Sequence, residues 1–500
     1  MLEGHFDYVV IGGGGSGVVL ARKLAENPRV TVALLEAGPS DEERPEVADF
    51  RRYQEVAWGP LSPRLPIVPP IIGNGRVMYP VGRLLGGCTS HNSCIWFRPP
   101  DSDFLDWERL GGSGWGPRDV RSCFREIETR VSVETYVAGS AAHRDLLQGC
   151  NEIGFRTVDF SKPFDVGVGH YRFSKIGNLR QSSSVVYLHP LATLPVNLLV
   201  LTDTAARQLI FGPGGEVVGV DTHRGPVRAR REVILTAGTF GTPKLLMLSG
   251  IGPGQLLRDL GIPVRRDLPG VGARFLDHPA CAINFAASRQ SERLDLWNYA
   301  GVLFARIEES ALWPDVEMQL GAELYEQETK PAGYPSAPGG FCAYFTVNRA
   351  RSEGSVRLAS PDPDATVRVD PNFFGDPDQY DLSVMVGAIR LARRLFSTRS
   401  IAPWISAEIA PGGACQSDEA IIAFLRNTVT TGYHPAGTCR MGPAADPQSV
   451  VGADLKIWGV PRLRVADASV FPSMVSVNIA STCMMVGLRC AQLICHENVG

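Results

Sequence analysis

Near the N-terminus, apolar runs and glycine turns alternate at strand and helix spacing. Tyr8-Val9-Val10-Ile11 is short, apolar and rich in β-branched side chains, as a strand buried on both faces must be. After a glycine-rich break, Val18 to Asn27 repeats apolar residues at helical spacing, with Val19, Leu20 and Leu24 on one side. A second strand, Val30 to Ala37, follows, so the region predicts a βαβ unit. Farther on, Asn197 to Gly238 reads as strands joined by Gly/Pro turns. The last of these strands, Arg231 to Gly238, is expected to lead into a helix started by Thr242-Pro243. Gly354 to Phe374 reads as strand, turn, strand, and Asp378 to Ser397 as a long amphipathic helix. Ile479 to Ile494 is an apolar helical run. The pattern predicts an α/β fold with α+β mixing, without internal repeats.

Composition narrows the classes. Five hundred residues exceed one compact core, so more than one domain is expected. A hydrophobic fraction of 44% and a net charge of −3 describe an ordinary globular chain without a polybasic face for nucleic acid or anionic lipid. No apolar run reaches membrane-spanning length. The chain passes straight from Met1 into the first strand, without the three-part pattern of a secretory leader, so a cytoplasmic location is expected. The 11 cysteines are scattered without zinc spacing, which suits free thiols in a reducing compartment and predicts no metal site.

Candidate chemistry starts at the first turn. Gly12, Gly14, Gly15 and Gly17 form a Gly-rich loop of the G-x-G-x-x-G type between strand and helix. Gly12 permits the tight turn, Gly14 lets backbone approach a pyrophosphate, and Gly17 lets helix pack on strand. The helix N-terminus then presents free amides to the phosphates. Glu36, at the end of the second strand, is placed to accept from ribose hydroxyls, which disfavours a 2′-phosphate. These residues alone leave FAD and NAD both open.

Several later segments resemble the signatures of the glucose-methanol-choline (GMC) oxidoreductases, in the family's order. They are Gly82 to Pro100 ("GRLLGGCTSHNSCIWFRPP"), Gly238 to Gly252 ("GTFGTPKLLMLSGIG"), Pro269 to Pro279, Tyr433 to Gly442 ("YHPAGTCRMG") and Leu463 to Ile494. The resemblance implies FAD bound in a discontinuous Rossmann-like domain (residues 1–155, 196–280 and 430–500). A substrate-binding domain with an antiparallel sheet (156–195 and 281–429) would roof the flavin. It further implies hydride transfer from a primary alcohol to the flavin, giving an aldehyde, with oxygen or another electron acceptor reoxidising it. A small polar alcohol is the expected partner; oligomeric state is not predicted.

The resemblance also assigns residues. His434 takes the family's catalytic position, suited to proton transfer near neutrality, and Asn478 the second polar position; Asn478 also suits a helix N-cap. His91, in "SHNSC", matches the choline-oxidase-like branch, where the corresponding histidine is covalently attached to the flavin 8α-methyl group, so a histidyl-FAD bond is expected. Arg83, Gly87, Asn92, Ser93 and Cys94 in the same segment, Ala206, Asp467 with Ala468, and Asn478 are expected to line FAD. Asp467 has an alternative as a helix or turn cap.

The departures concern the substrate. Choline-processing members place a Glu after the Asp-His-Pro turn; here it is Ala280. Asn348 stands where those members carry a His, and Ala480 replaces a second Asn, whereas Tyr433 keeps their aromatic residue. Tyr433, His434, Asn348 and Ala280 are the expected substrate contacts, and choline is not the expected substrate. Glu317, Glu323, Glu326 and Glu328 read first as a solvated acidic face. If one of them met an ammonium group, a polyamine-like or aminosugar-bearing alcohol would fit, as in family members that oxidise aminoglycoside precursors. Two alternatives have other chemistry: a cyanohydrin lyase that keeps FAD structurally, and a flavin-binding protein without turnover.

Overall fold

The structure, a computed structural model, describes residues 4–69, 72–137, 139–289, 299–309 and 311–497. Its first sheet is built around strand Gly4–Ile11, which pairs in parallel with Val32–Leu35 on one side and Val227–Leu235 on the other. Leu198–Leu201 and Leu463–Val465 extend the parallel part, and Ala206–Phe211 and Val217–Thr222 add an antiparallel edge. The central strand is covered on both faces at Tyr8, Val9, Val10 and Ile11, all buried, which is why this stretch is apolar throughout.

The register aligns the ends of these strands. Ile11 pairs with Leu35 and Leu235, and Leu235 with Val465. The loops that begin at Gly12, Glu36, Thr236 and Ala466 therefore emerge side by side at one carboxyl edge, where open α/β sheets bind ligands. The terminal helix Ala480–Glu497 crosses the first helix, Gly15–Leu24, beside this edge. A Cβ on Gly487 would lie 2.2 Å from the Ser16 carbonyl oxygen, so only glycine allows that crossing.

The second sheet is antiparallel, in the order Ile405–Ala410, Pro279–Ala287, Gly340–Val347, Val316–Gly321, Gly301–Ala305 and Gly167–Gly169; Thr430–Thr431 pairs beside Pro279 and Ala280. Alternation divides its side chains between two faces. Cys281, Ile283, Phe285, Phe345 and Met318 pack in one apolar cluster with the long helix Tyr380–Phe396. The opposite face carries Ala280, Thr346, Tyr344, Glu317 and Phe304, and Phe304 packs with Ile95, Phe97 and Val477 of the first-sheet region. A hairpin of Ser355–Leu358 and Val367–Asp370 matches the strand–turn–strand expectation.

The expected helix start at Thr242-Pro243 needs correction, because the helix already begins at Gly238 and contains Pro243. A proline there removes an amide donor. The carbonyl it would have served, that of Thr239, accepts instead from the Thr438 hydroxyl at 2.7 Å.

Candidate active site

The glycine loop forms a tight cradle with an open mouth. Gly12 has φ +113°, and a Cβ there would lie 2.3 Å from the Thr236 carbonyl oxygen; one on Gly17 would lie 2.0 Å from the Gly12 oxygen. Gly14 differs, since its nearest neighbour would be the Gly87 Cα at 4.0 Å, and a Cβ on Gly238 would meet nothing within 4 Å. Gly15 lies against Thr89, closing the cradle's side. Backbone is thus exposed to open space at the carboxyl edge, between two helix starts, which fits the pyrophosphate of a dinucleotide. Glu36 is buried beside it, accepting from the Gly13 amide at 2.9 Å and the Gly38 amide at 2.8 Å. Burial pushes its carboxyl up to about 7, against the pull of those amides and of the Arg83 charge. Arg83 itself is exposed. Ala206 opens the edge strand two residues after Thr204, whose amide donates to the Glu36 carbonyl at 2.7 Å.

Asp467 takes its capping alternative. Its Oδ2 accepts from the Gly238 amide at 2.9 Å and the Thr242 hydroxyl at 2.6 Å, and Oδ1 accepts from the Ser469 amide at 2.8 Å. Its carboxylate thus fixes the start of the helix under the cradle, while the next carbonyl, of Ala468, accepts from Gly437 at 3.0 Å.

The loop of Gly87 to Cys94 is held from behind by a residue the motifs did not single out. Arg180 is buried, and its Nη1 lies 2.6 Å from the Asn92 carbonyl, 2.9 Å from Asn92 Oδ1, 3.0 Å from Cys94 Sγ and 3.2 Å from the Thr89 carbonyl. Its Nε donates to the Val47 carbonyl at 3.1 Å. Cys94 takes φ +60°, with its amide donating to Asn92 Oδ1 at 3.0 Å. Ser93 hydrogen-bonds Tyr299. His91, the residue this frame presents, is 5% exposed. Its Nδ1 meets the buried Ser62 hydroxyl at 2.6 Å, leaving Nε2 without a protein partner among the described residues. Burial lowers its pKa to about 3, so the imidazole is neutral and Nε2 can carry a lone pair.

The expected catalytic pair is brought together, with a second imidazole behind it. Asn478 Nδ2 lies 3.2 Å from His434 Nε2, and His434 Nδ1 lies 2.9 Å from Nδ1 of His278. His278 Nε2 lies 2.9 Å from the Val475 carbonyl. A carbonyl only accepts, so His278 carries its proton on Nε2 and accepts at Nδ1. His434 must then donate from Nδ1, which leaves the Nε2 lone pair facing Asn478. Burial, with the His278 charge second, holds His434 well below the usual histidine range, and burial lowers His278 to about 4. Both rings are neutral near pH 7. The helix starts at Ala480, so Asn478 does not occupy its N-cap, and the amide points at His434 instead.

Asp277 fixes this arrangement. Oδ1 accepts from the His278 amide at 2.8 Å and the His434 amide at 3.0 Å; Oδ2 accepts from Tyr79 at 2.9 Å and Thr431 at 2.5 Å. Burial still raises its carboxyl to about 6.

Tyr433 is held at φ +64°, its amide bonded to Thr431 Oγ1 at 2.7 Å. Its ring meets Trp58 edge-on at 6.3 Å. Ala280 lies on the sheet face opposite the helix-covered one and is fully buried. Asn348 is also fully buried; its Oδ1 accepts from Thr346 at 3.1 Å, and its Nδ2 has no partner among the described residues. The acidic segment is not the solvated face expected of it, because strand Val316–Gly321 turns Glu317 inward, where it is 7% exposed. Glu323, Glu326 and Glu328 are half-buried.

Models of the GMC oxidoreductase family match residues 6–280 and 350–487. The choline oxidase of Arthrobacter globiformis is 38% identical over 99% of this chain and 95% of its own length. The oxygen-dependent choline dehydrogenase of Rhizobium etli (strain CIAT 652) is 32% identical over 97% and 94%. Among solved structures, pyridoxine 4-oxidase from Mesorbium loti superposes with a TM-score of 0.90 at 24% identity, covering 98% of this chain and 99% of that one. A fungal aryl-alcohol oxidase superposes with a TM-score of 0.85 at 22% identity, covering 100% of both chains. The chain belongs to the GMC oxidoreductase family and is an FAD-dependent alcohol oxidoreductase.

Proposed function

We propose that this chain oxidises a small primary alcohol to the aldehyde, with His434 Nε2 taking the hydroxyl proton. The observation that carries this is the hydrogen-bond chain from the Val475 carbonyl through His278 to His434, which leaves a lone pair on His434 beside the Asn478 amide. An alcohol oxygen entering between them would donate to His434 Nε2 and accept from Asn478 Nδ2. The imidazole stores the proton as an alkoxide-like oxygen develops, and Asn478 stabilises that oxygen. FAD, when bound, supplies the hydride acceptor. Tyr433, Ala280 and Asn348 would border the substrate. Choline is not proposed, because Ala280 offers no carboxylate where a choline site would need one.

His91 Nε2 would carry the flavin, since Ser62 engages the other ring nitrogen. Oxygen or another carrier would remove the electrons. Anaerobic mixing of the yellow protein with a panel of primary alcohols tests the reading: bleaching by one class supports it. A flavin that stays oxidised while the protein cleaves a cyanohydrin supports the lyase alternative instead.

A further inference from the structure

The sheet row that contains Ala280 also contains a buried carboxylate with nothing to bind. Ala280 pairs with Thr346, Thr346 with Glu317, and Glu317 with Phe304, so these side chains project from the same face. Glu317 is 7% exposed, and among the described residues no hydrogen bond or opposite charge offsets its burial. Burial alone pushes its carboxyl up to about 8. Near it, the Tyr171 hydroxyl is buried without a partner among the described residues and feels its charge.

Tyr344 ties this position to the catalytic loop. Its hydroxyl donates to the Thr431 carbonyl at 3.1 Å, and its environment includes the charges of Glu328, Asp277 and Glu317. Its ring packs on Tyr325 at 4.7 Å. At the other end of the row, Thr430 pairs with Ala280 and hydrogen-bonds Glu328, whose Oε2 is buried without a partner among the described residues. Without a cation beside it Glu317 is mostly the neutral acid near pH 7, and an entering ammonium favours its ionised form; buried polar groups without partners persist where a ligand completes them.

We propose that Glu317 is the anchor of an ammonium subsite, so that the substrate is an alcohol bearing a primary amine. This rests on the alcohol-oxidation reading above. A primary ammonium brings three N–H donors to a carboxylate and a phenol that lack partners, whereas a trimethylammonium brings none. Glu328, whose carboxyl burial raises to about 7, adds negative potential when it ionises. Glu317 stands two strands from Ala280, about 10 Å across the sheet. The catalytic loop hangs from the Ala280 side, so amine and carbinol are separated by more than the two carbons of choline or ethanolamine.

The test uses the flavin-loaded enzyme with 5-amino-1-pentanol, its neutral isostere 1-hexanol, 2-aminoethanol and choline. The wild type is expected to show kcat/KM at least tenfold higher for 5-amino-1-pentanol than for each of the other three. Glu317→Gln and, as a second variant, Glu317→Leu are expected to bring the preference over 1-hexanol to within about twofold. Binding is read separately, from the change that n-pentylamine causes in the visible spectrum of the bound flavin. Saturable n-pentylamine binding, weakened at least tenfold in both variants, supports the subsite even if no alcohol is oxidised; that combination would sink the oxidation reading alone. Alcohol turnover without a preference for the amine, or a preference that survives in both variants, overturns the subsite.

Discussion

The imidazoles of His278 and His434 meet through their Nδ1 atoms at 2.9 Å, although 156 positions separate them in sequence. The Val475 carbonyl sets the direction of this contact, because it can only receive the His278 proton. The reactive nitrogen of His434 is therefore chosen by a residue that faces away from the substrate.

Replacing His434 by Ala should lower kcat roughly 10²–10⁴-fold while the protein remains yellow. The wild-type pH profile follows from its depressed pKa. Protonation removes the base, and its folded pKa lies well below 6.5, so kcat/KM for a neutral alcohol, which does not need Glu317 ionised, should stay flat through neutrality and fall only in acid. An acid limb centred at or above 6.5 contradicts this.

His278→Ala removes the acceptor that fixes the His434 tautomer and admits water beside the ring. The expected result is a kcat loss of roughly 10–100-fold with the acid limb moved up toward 6.5. A variant that loses stability but keeps the wild-type pH profile would show that His278 only fills space.

Acid-precipitated wild type should retain its yellow colour, and His91→Ala should release all of it. Ser62→Ala should lower the linked fraction, because Ser62 holds His91 Nδ1 at 2.6 Å and so leaves Nε2 for the flavin. Denaturing gels read by flavin fluorescence measure both.

Two glycines separate folding from binding. Gly14→Ala places a methyl no nearer than 4.0 Å to the protein, so this variant should fold but load FAD poorly. Gly17→Ala drives a methyl to 2.0 Å from the Gly12 oxygen and should fail to fold. Equal FAD content in Gly14→Ala and wild type would place the pyrophosphate elsewhere.

Arg180→Ala strands several buried acceptors behind the His91 loop. A stability loss of about 3 kcal/mol or more is expected by denaturant unfolding, together with loss of FAD. A change under about 0.5 kcal/mol would mean the loop is held by other contacts.

What the sequence revealed was local. The strand ending at Ile11, the glycine turn and Glu36 lie within one βαβ unit, where spacing alone dictates geometry. His434 and Asn478 were legible because each sits in a recognisable motif. Asp277 and His278 lay inside another such motif, but their roles depend on Thr431, Tyr79 and Val475 meeting them in space. Arg180 left no local signal, since its acceptors are about 90 residues away in sequence. Glu317 was misread as solvated because an acidic run resembles a surface until strand pairing puts one residue inside. Pro243 shifted the expected helix start because the rescue of the Thr239 carbonyl comes from Thr438, far along the chain.

Proton removal by His434 is tested most directly by the anaerobic visible spectrum of the bound flavin on mixing with primary alcohols, in wild type and in His434→Ala. The wild type should bleach rapidly and the variant roughly 10²–10⁴-fold more slowly. A flavin bleached equally fast in both proteins, or in neither by any alcohol, would rule out His434 as the base of alcohol oxidation.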